Sequence, residues 1–317
     1  MRSVERNELN PDLFIEAKIN EIQEIIKHKK ALVALSGGVD SSTCAVLAHQ
    51  AIGDQLSMVF IDDGLMREGE AEKVQKTFTN LGMNVEVAEA EEIFFSALAR
   101  KIDPEEKRKA FRDVFYQTLA EIIKKREINF LIQGTIKADI DETKKGIKTQ
   151  HNVLEQIGIE PQEYGFRLIE PLKDIYKDEV REVAKSLGLP KEISERMPFP
   201  GPGLAIRVLG EVTPERVAMV RKATSLVENE LAVLKPFQTF AVLLSDRSTG
   251  IKQGERTFGN IIVIRSVESK DALTASATEI PWNYLNHLQR KIIEEIPEVN
   301  RVLFDLTPKP PATIEYI

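Results

Sequence analysis

Ala31-Leu32-Val33-Ala34-Leu35-Ser36-Gly37-Gly38-Val39-Asp40-Ser41-Ser42 is the stretch that decides the fold. Its first five residues form a short continuous apolar run, the composition of a strand buried in a parallel sheet. The adjacent glycines Gly37 and Gly38 let backbone N–H groups turn toward one point with no Cβ in the way. Hydroxyls of Ser36, Ser41 and Ser42 add donors, and a helix expected from near Ser42 presents its positive end. With Val39 between them, these residues make an anion nest of pyrophosphate size. Asp40 is the odd member. A carboxylate among phosphate donors repels the ligand unless a cation lies between them, so Asp40 reads as a Mg²⁺ ligand. The bland alternative is a helix cap. No G-x-x-x-x-G-K-[ST] lysine loop is present, and no G-x-G-x-x-G opens a helix after a strand.

Outward from this stretch the same pattern repeats. Apolar runs recur at 56–61, 85–87 and 128–132, with helical stretches at 14–26, 70–81 and 107–125. Strands alternating with helices predict an α/β fold, a doubly wound parallel sheet with ligands at the carboxyl ends of its strands. The pattern changes near residue 196, which divides the chain into domains 1–195 and 196–317. Met197-Pro198-Phe199-Pro200-Gly201-Pro202-Gly203 cannot be helix interior or central strand, and composition alone reads it as a linker. Thr213-Pro214-Glu215 then opens a helix with an N-cap and a proline at its first position. Strand-like runs at 240–244, 261–264 and 302–304 and a helix at 282–295 predict a smaller α+β unit with a three-stranded sheet. Such a sheet leaves an edge and a face to cover, for which a homodimer is the commonest solution.

The chain has 317 residues and a net charge of -7, which argues against a nucleic-acid partner. No apolar run approaches membrane-spanning length and the start lacks a signal-like apolar region, so a soluble cytoplasmic protein with no membrane partner is expected. The single cysteine, Cys44, excludes an internal disulfide framework and reads as a small buried hydrophobe.

Ser36-Gly37-Gly38-Val39-Asp40-Ser41-Ser42 resembles the PP-loop of the N-type ATP pyrophosphatases, whose fold is adenine nucleotide α-hydrolase-like. Further segments resemble the GMP synthetase family within that superfamily: 60–67, 103–109, Gln133-Gly134-Thr135-Ile136, 196–210 and 307–315. The resemblance implies ATP contacts from Asp62 and Gly64 after the second strand, from Gly134, and from Lys173 in Glu170-Pro171-Leu172-Lys173. It implies XMP contacts from Arg108, Lys309, Glu315 and Gln238, with Arg247 a further nucleotide-facing position. Arg108 and Lys309 suit a 5′-phosphate, and Pro310-Pro311 suits an extended tail carrying Glu315. Asp139 and Glu142, after a strand end, hold metal, position Lys148, or are equally well solvent-facing loop charges. The family's His-His-Asn triplet is replaced by Gln150-His151-Asn152, a departure confined to the lid.

The reaction so implied uses ATP and Mg²⁺ to adenylylate XMP, after which ammonia displaces AMP and gives GMP. Family members usually draw the ammonia from glutamine through a nucleophilic cysteine. Cys44 lies on the helix after the phosphate loop, with His28, His49, His151 and His287 scattered elsewhere. The loop begins at residue 36, which leaves no room before it for a glutaminase domain. A separate glutamine amidotransferase (glutaminase) subunit is therefore the expected partner.

Overall fold

The computed structural model describes residues 9–144, 166–270 and 272–317. Lys148 and the stretch Gln150, His151 and Asn152 lie outside them. Two compact units form: Met1–Ile61, Ala71–Glu89 and Tyr116–Arg196 make the first, and Asp62–Glu70, Ala90–Phe115 and Met197–Ile317 the second. Both units change over near residue 196. The second unit also takes two segments from further up the chain, 62–70 and 90–115, which a single cut in the sequence does not give.

The first unit is built on a five-stranded sheet in the order β3-β2-β1-β4-β5. Its strands are β1 (Ala31–Leu35), β2 (Leu56–Asp62), β3 (Glu86–Glu89), β4 (Phe130–Ile132) and β5 (Arg167–Ile169). β1 runs parallel to β2, with Val33 opposite Met58, and parallel to β4, with Val33 opposite Ile132; β4 is parallel to β5. The chain steps outward from β1 to β2 and β3, then returns to the other side of β1. The order therefore reverses between β1 and β4, and the crevice beyond their carboxyl ends is the expected ligand position in such a sheet.

In chain order the helices up to residue 194 are α1 (Pro11–Ile26), α2 (Val39–Ile52), α3 (Glu70–Asn80), α4 (Glu91–Leu98), α5 (Pro104–Lys125), α6 (Lys137–Lys144), α7 (Lys177–Ser186) and α8 (Lys191–Ser194). α1 and α2 pack against one another, and α7 packs on both. Asn10 caps α1 by accepting from the N–H groups of Asp12 and Leu13, with Pro11 at its first position. α2 is buried nearly all round, including Cys44, Ala45, Leu47 and Ala48. A helix apolar on every face has to be covered on every face, which is what α1, α7 and the sheet provide. Each buried Leu, Ile or Val adds roughly 1.5–3 kcal/mol of transfer free energy.

The second unit holds a four-stranded sheet: β6 (Gln238–Lys252), β7 (Glu255–Glu268), β8 (Ser276–Ala277) and β9 (Val299–Phe304). β6 and β8 are antiparallel to β7, and β9 is parallel to it. The apolar runs mark only part of β6 and β7. Both strands continue into a hairpin whose two turn residues, Gln253 (φ 53°) and Gly254 (φ 83°), have the positive φ of a tight two-residue connection. α9 (Pro214–Leu231) lies on β6, and α10 (Trp282–Glu295) lies on α9 and β9. As the sequence suggests, Thr213 caps α9, its Oγ1 accepting from Arg216 N at 3.3 Å.

Composition fails at 197–203. That stretch is not a solvated linker: Pro202 and Gly203 are buried, and the short turn Gly203–Arg207 after it is buried throughout. Leu204 N donates to Leu65 O at 2.7 Å. Arg67 stacks on the Phe199 ring with its guanidinium 4.3 Å from the ring centre, and its Nε donates to Glu228 at 2.9 Å. Proline and glycine serve here to bring backbone against backbone. Gly203 has φ 58°, and a Cβ on it would stand 2.5 Å from Leu65 O. Gly203→Ala should therefore cost about 2 kcal/mol or more, combining left-handed strain with a backbone clash. Gly254→Ala, with φ 83° and nothing within 4 Å, carries the strain alone. Chemical denaturation of both variants checks this, and equal losses would show that the clash is absent.

Candidate functional site

The residues singled out after β1 form a self-bonded turn at the start of α2. Ser36 N donates to Ser41 Oγ at 3.2 Å, and the Ser36 and Ser41 hydroxyls share a hydrogen bond of 3.0 Å. Ser41 Oγ also donates to Gly38 O at 3.2 Å. Gly37 has φ 71°, and Gly38 occupies the N-cap of α2 with no side chain capping it. The first amides of α2 are left without that side-chain acceptor, the condition for anion capture at a helix N-terminus.

The loop after β4 closes on this turn. A Cβ on Gly134 would lie 2.9 Å from Asp40 C and 2.9 Å from Ser41 N, so only glycine allows the approach. Cys44 lies on the same inner side of α2, fully buried, with Sγ 3.6 Å from Gln133 O. Burial first, then the charges of Asp40 and Glu170, push its thiol well above the ordinary value. Such a thiol is a poor nucleophile.

Two cations reach the turn that the sequence did not single out. Lys177, the first residue of α7, donates from Nζ to Asp40 Oδ2 at 2.5 Å. Arg196 donates to Gly37 O at 2.9 Å. Arg196 stood inside a recognised motif, whereas nothing local marks Lys177. Asp40 Oδ1 and Ser42 Oγ are buried oxygens with no hydrogen-bond partner. Unsatisfied carboxylate and hydroxyl oxygens on one helical turn suit a hard, oxygen-seeking cation.

The other residues singled out in the first unit stand as follows. Asp139 Oδ2 accepts from Ile136 N at 3.0 Å, which caps the start of α6 (Lys137–Lys144), the helix that also carries Glu142. Lys173 is exposed in the turn after β5.

In the second unit, the segment after β2 is held at every step. Asp62 Oδ1 accepts from Gly64 N at 3.2 Å, and Arg221 donates to Gly64 O and, at 2.9 Å, to Met66 O. Gly64 has φ 69°, and a Cβ there would meet Glu91 Cγ at 2.6 Å. Gln238 and Glu315 come together: Gln238 Nε2 donates to Glu315 Oε1 at 2.6 Å. Arg207, fully buried, grips the same carboxylate from Nε at 3.1 Å and from a terminal nitrogen at 2.9 Å. The Arg207 guanidinium centre also stands 4.9 Å and 4.0 Å from the Phe199 and Phe240 ring centres. Arg108 binds Ile317 O at 2.7 Å, while Lys309 donates to Ala272 O at 2.8 Å. Arg247 stacks on Phe258 in the hairpin, its guanidinium 4.8 Å from the ring centre.

Comparison with known proteins matches both units. The PP-loop domain family model matches residues 11–190, and the model described as GMP synthase C terminal domain matches residues 226–316. A subunit of the glutamine-hydrolysing GMP synthase of Thermococcus kodakarensis is 54% identical over 306 residues, covering 96% of this chain and 98% of that protein. The protein of the same name from Archaeoglobus fulgidus is 52% identical over 309 residues, covering 97% and 100%. That from Methanopyrus kandleri is 50% identical over 315 residues, covering 97% and 99%.

Asp63, beside Asp62, supplies a measurable signature of the second unit's loop. Burial, with Asp62 adding to it, pushes its carboxyl up to about 7, against the pull of the Leu65 N–H and Arg221. Because the folded pKa lies above the ordinary 3.8, this group's contribution to stability is full below about pH 4 and is lost as pH rises through 7. Asp63→Asn keeps an oxygen for the Leu65 N–H and removes the titration. It should raise stability at pH 8 by about 2–4 kcal/mol, at roughly 1.4 kcal/mol per pKa unit, with the gain shrinking toward pH 4. Denaturant midpoints of both proteins at the two pH values check this, and a pH-independent difference would refute it.

Proposed function

Because the chain belongs to the GMP synthase family, a family of ligases, we propose that it aminates XMP to GMP through an adenylyl-XMP intermediate, with ammonia delivered by a separate glutaminase subunit. The observation that carries this proposal is the glycine-built turn at 36–42, closed by Gly134 at the point where the sheet order reverses.

In the proposed chemistry, ATP enters with its β,γ-phosphates in the turn at 36–42, on the first backbone N–H groups of α2, which have no side-chain cap. The xanthine O2 of XMP attacks the α-phosphorus; an O–P bond forms and pyrophosphate leaves. Ammonia then bonds to C2 and loses a proton, and the C2–O bond breaks as AMP departs, leaving GMP. Converging amides and the helix terminus stabilise charge that builds on the departing pyrophosphate, and they are already aimed before the reaction starts. No side-chain nucleophile is required; the protein's contribution is position and charge neutralisation.

Mg²⁺ fits the first turn of α2, where Asp40 Oδ1 and Ser42 Oγ are the oxygens available to it. When bound with ATP it neutralises phosphate charge, and sites of this kind commonly use one or two carboxylates together with the phosphates. We assign the remaining ATP contacts to Asp62, Gly64 and Lys173, and XMP contacts to Arg108, Gln238, Lys309 and Glu315. The pairing of Gln238 with Glu315 supports their assignment to one ligand. Asp139, Glu142 and Lys148, together with Asp40, are the proposed catalytic residues.

A separate glutaminase is supported by the relatives' designation as one subunit of a glutamine-hydrolysing enzyme and by the character of Cys44. That thiol is the only one in these 317 residues, and it is buried with a raised pKa. Among the described residues no helix is long and apolar enough to cross a membrane. A cytoplasmic homodimer formed through the second unit completes the proposal. Exposed Ile251 and Phe258 on the hairpin and Leu303 on β9 supply apolar surface for it.

Incubation of the purified chain with ATP, Mg²⁺, XMP and ammonium should give equimolar GMP, AMP and pyrophosphate, and glutamine as sole nitrogen donor should give none. Pyrophosphate without GMP would sink the amination, and glutamine-dependent GMP would sink the separate glutaminase. Lys309→Ala should raise the KM for XMP about 10- to 100-fold, the range for loss of a charge-assisted phosphate contact, and leave that for ATP nearly unchanged. Equal shifts in both constants would remove the tail from the XMP site.

A further inference from the structure

We propose that Lys107 is a positioning residue for the XMP site: its buried ammonium fixes the backbone that carries Arg207, and through Arg207 the Glu315 carboxylate of the tail. This rests on the reading of Gln238 and Glu315 as XMP contacts.

The burial of Lys107 is the first indication. It lies near the start of α5, behind Asp103, whose Oδ1 accepts from Glu105 N at 2.9 Å and from Glu106 N at 3.0 Å. The Lys107 side chain is fully buried, and its Nζ donates to Val208 O at 2.6 Å. That acceptor is a neutral carbonyl, not a carboxylate. Burial first, then the charge of Arg216, push the ammonium down to about 8, against the pull of Asp103. Holding the charge therefore lowers stability below about pH 8, and the cost fades as pH rises toward 10.5. An aliphatic side chain would leave one carbonyl unpaired but would remove the buried charge. Folding alone thus gives little reason for lysine here.

What the ammonium holds is the second indication. The peptide between Val208 and Leu209 is tied on both sides. Leu209 N donates to Leu243 O in β6 at 2.8 Å, where Val208 also bridges Leu243. A trans peptide points its carbonyl the opposite way, so Val208 O faces away from Leu243 and needs a donor from elsewhere. Lys107 is that donor. Arg216 adds a third tie, donating to Leu209 O at 2.8 Å and to Leu244 O at 3.0 Å.

Arg207 stands directly before this fixed peptide. Its guanidinium grips Glu315 at 3.1 Å and 2.9 Å, and the same carboxylate accepts from Gln238 Nε2 at 2.6 Å. Gln238 is the first residue of β6. The three side chains meet only while the 207–209 backbone keeps its place on β6, which Lys107 secures from the other side. Arg108, the next residue of α5, donates to Ile317 O at 2.7 Å. Two successive helical residues thus set the tail twice, once at Ile317 and once through Arg207. An ammonium suits a single carbonyl as a point donor, whereas the guanidinium fork is shaped for paired acceptors.

Lys107→Met and Lys107→Gln in the full chain test this. The probes are XMP and MgATP in the GMP-forming assay with saturating ammonium, and hydrogen exchange of the ligand-free chain read by mass spectrometry. We expect Lys107→Met to raise the KM for XMP about tenfold, the size expected for loss of one hydrogen bond from a charged donor, with the KM for ATP within about twofold. Lys107→Gln keeps a donor and should recover part of that loss. Without ligand, peptides from 305–317 should exchange about tenfold faster in Lys107→Met, while peptides from 31–61 and the thermal midpoint stay close to the parent's. In a Glu315→Gln background the effect of Lys107→Met on the KM for XMP should shrink to about twofold or less, because both changes act on one contact. Equal rises in both constants, full additivity with Glu315→Gln, or unchanged tail exchange would overturn the proposal. If Lys107→Met does not fold, Lys107→Gln carries the same comparisons. If tail exchange depends on Lys107 but the parent chain binds no XMP, the XMP assignment fails and the hold on the tail stands.

Discussion

Gly134 brings the end of β4 against the first turn of α2, and the geometry of the anion turn follows from that contact. Adjacent parallel strands lie about 4.8 Å apart, so the loops leaving β1 and β4 start as neighbours. They remain in contact beyond the strands only if one contributes no side chain. A Cβ at 134 would stand 2.9 Å from the backbone of both Asp40 and Ser41, which would push the start of α2 away from the sheet end. With glycine there, the helix begins directly at the switch point of the sheet. Ser41 is then free to fold back on Ser36 and Gly38, which ties the turn to the first turn of the helix.

Local chemistry explains why this much was legible in the sequence. A buried strand, two glycines and a set of hydroxyls declare their use within twelve residues, and the alternation of runs declares the parallel sheet. The contact of Lys177 with Asp40 was not legible, because it depends on α7 packing against α2, more than a hundred residues away in the chain. Composition alone misreads the stretch at 197–203 for a related reason. Proline and glycine mark backbone that is neither helix nor strand, but composition does not say whether that backbone is solvated or pressed against Leu65. The hairpin of β6 and β7 was half seen. Its inner half is apolar and continuous, whereas its outer half is exposed on alternate residues and carries little hydrophobic signal.

The second unit solves a different problem, that of fixing an irregular tail. Residues 305–317 contain no helix or long strand, so their carbonyls need partners from elsewhere. Arg265, buried in β7, supplies them: it donates to Thr307 O at 2.6 Å and Thr313 O at 2.9 Å, and pairs with Asp305 at 3.0 Å. Arg207 does the same for the Glu315 carboxylate from a fully buried position between two aromatic rings. Burying a guanidinium costs several kcal/mol unless it is paired and hydrogen-bonded, so the tail and these arginines are mutually dependent. The run carrying Lys309, Pro310 and Pro311, expected to be extended, instead makes a turn in which Ala312 N donates to Pro308 O at 3.1 Å, and it is held at both ends.

Peptide planarity links Arg196 to the orientation of the anion turn. The Gly37 carbonyl and the Gly38 N–H belong to one rigid trans unit and point in opposite directions. By holding Gly37 O at 2.9 Å, Arg196 fixes the direction of the Gly38 N–H as well, although it touches only the carbonyl. Gly37, at φ 71°, has the backbone freedom to swing that peptide, and glycine has little intrinsic preference against doing so. A turn built from glycine gains the close approach that a phosphate requires and loses rigidity by the same choice. Arg196 restores the rigidity from outside the turn. The cation therefore serves as the clamp that keeps a glycine peptide aimed.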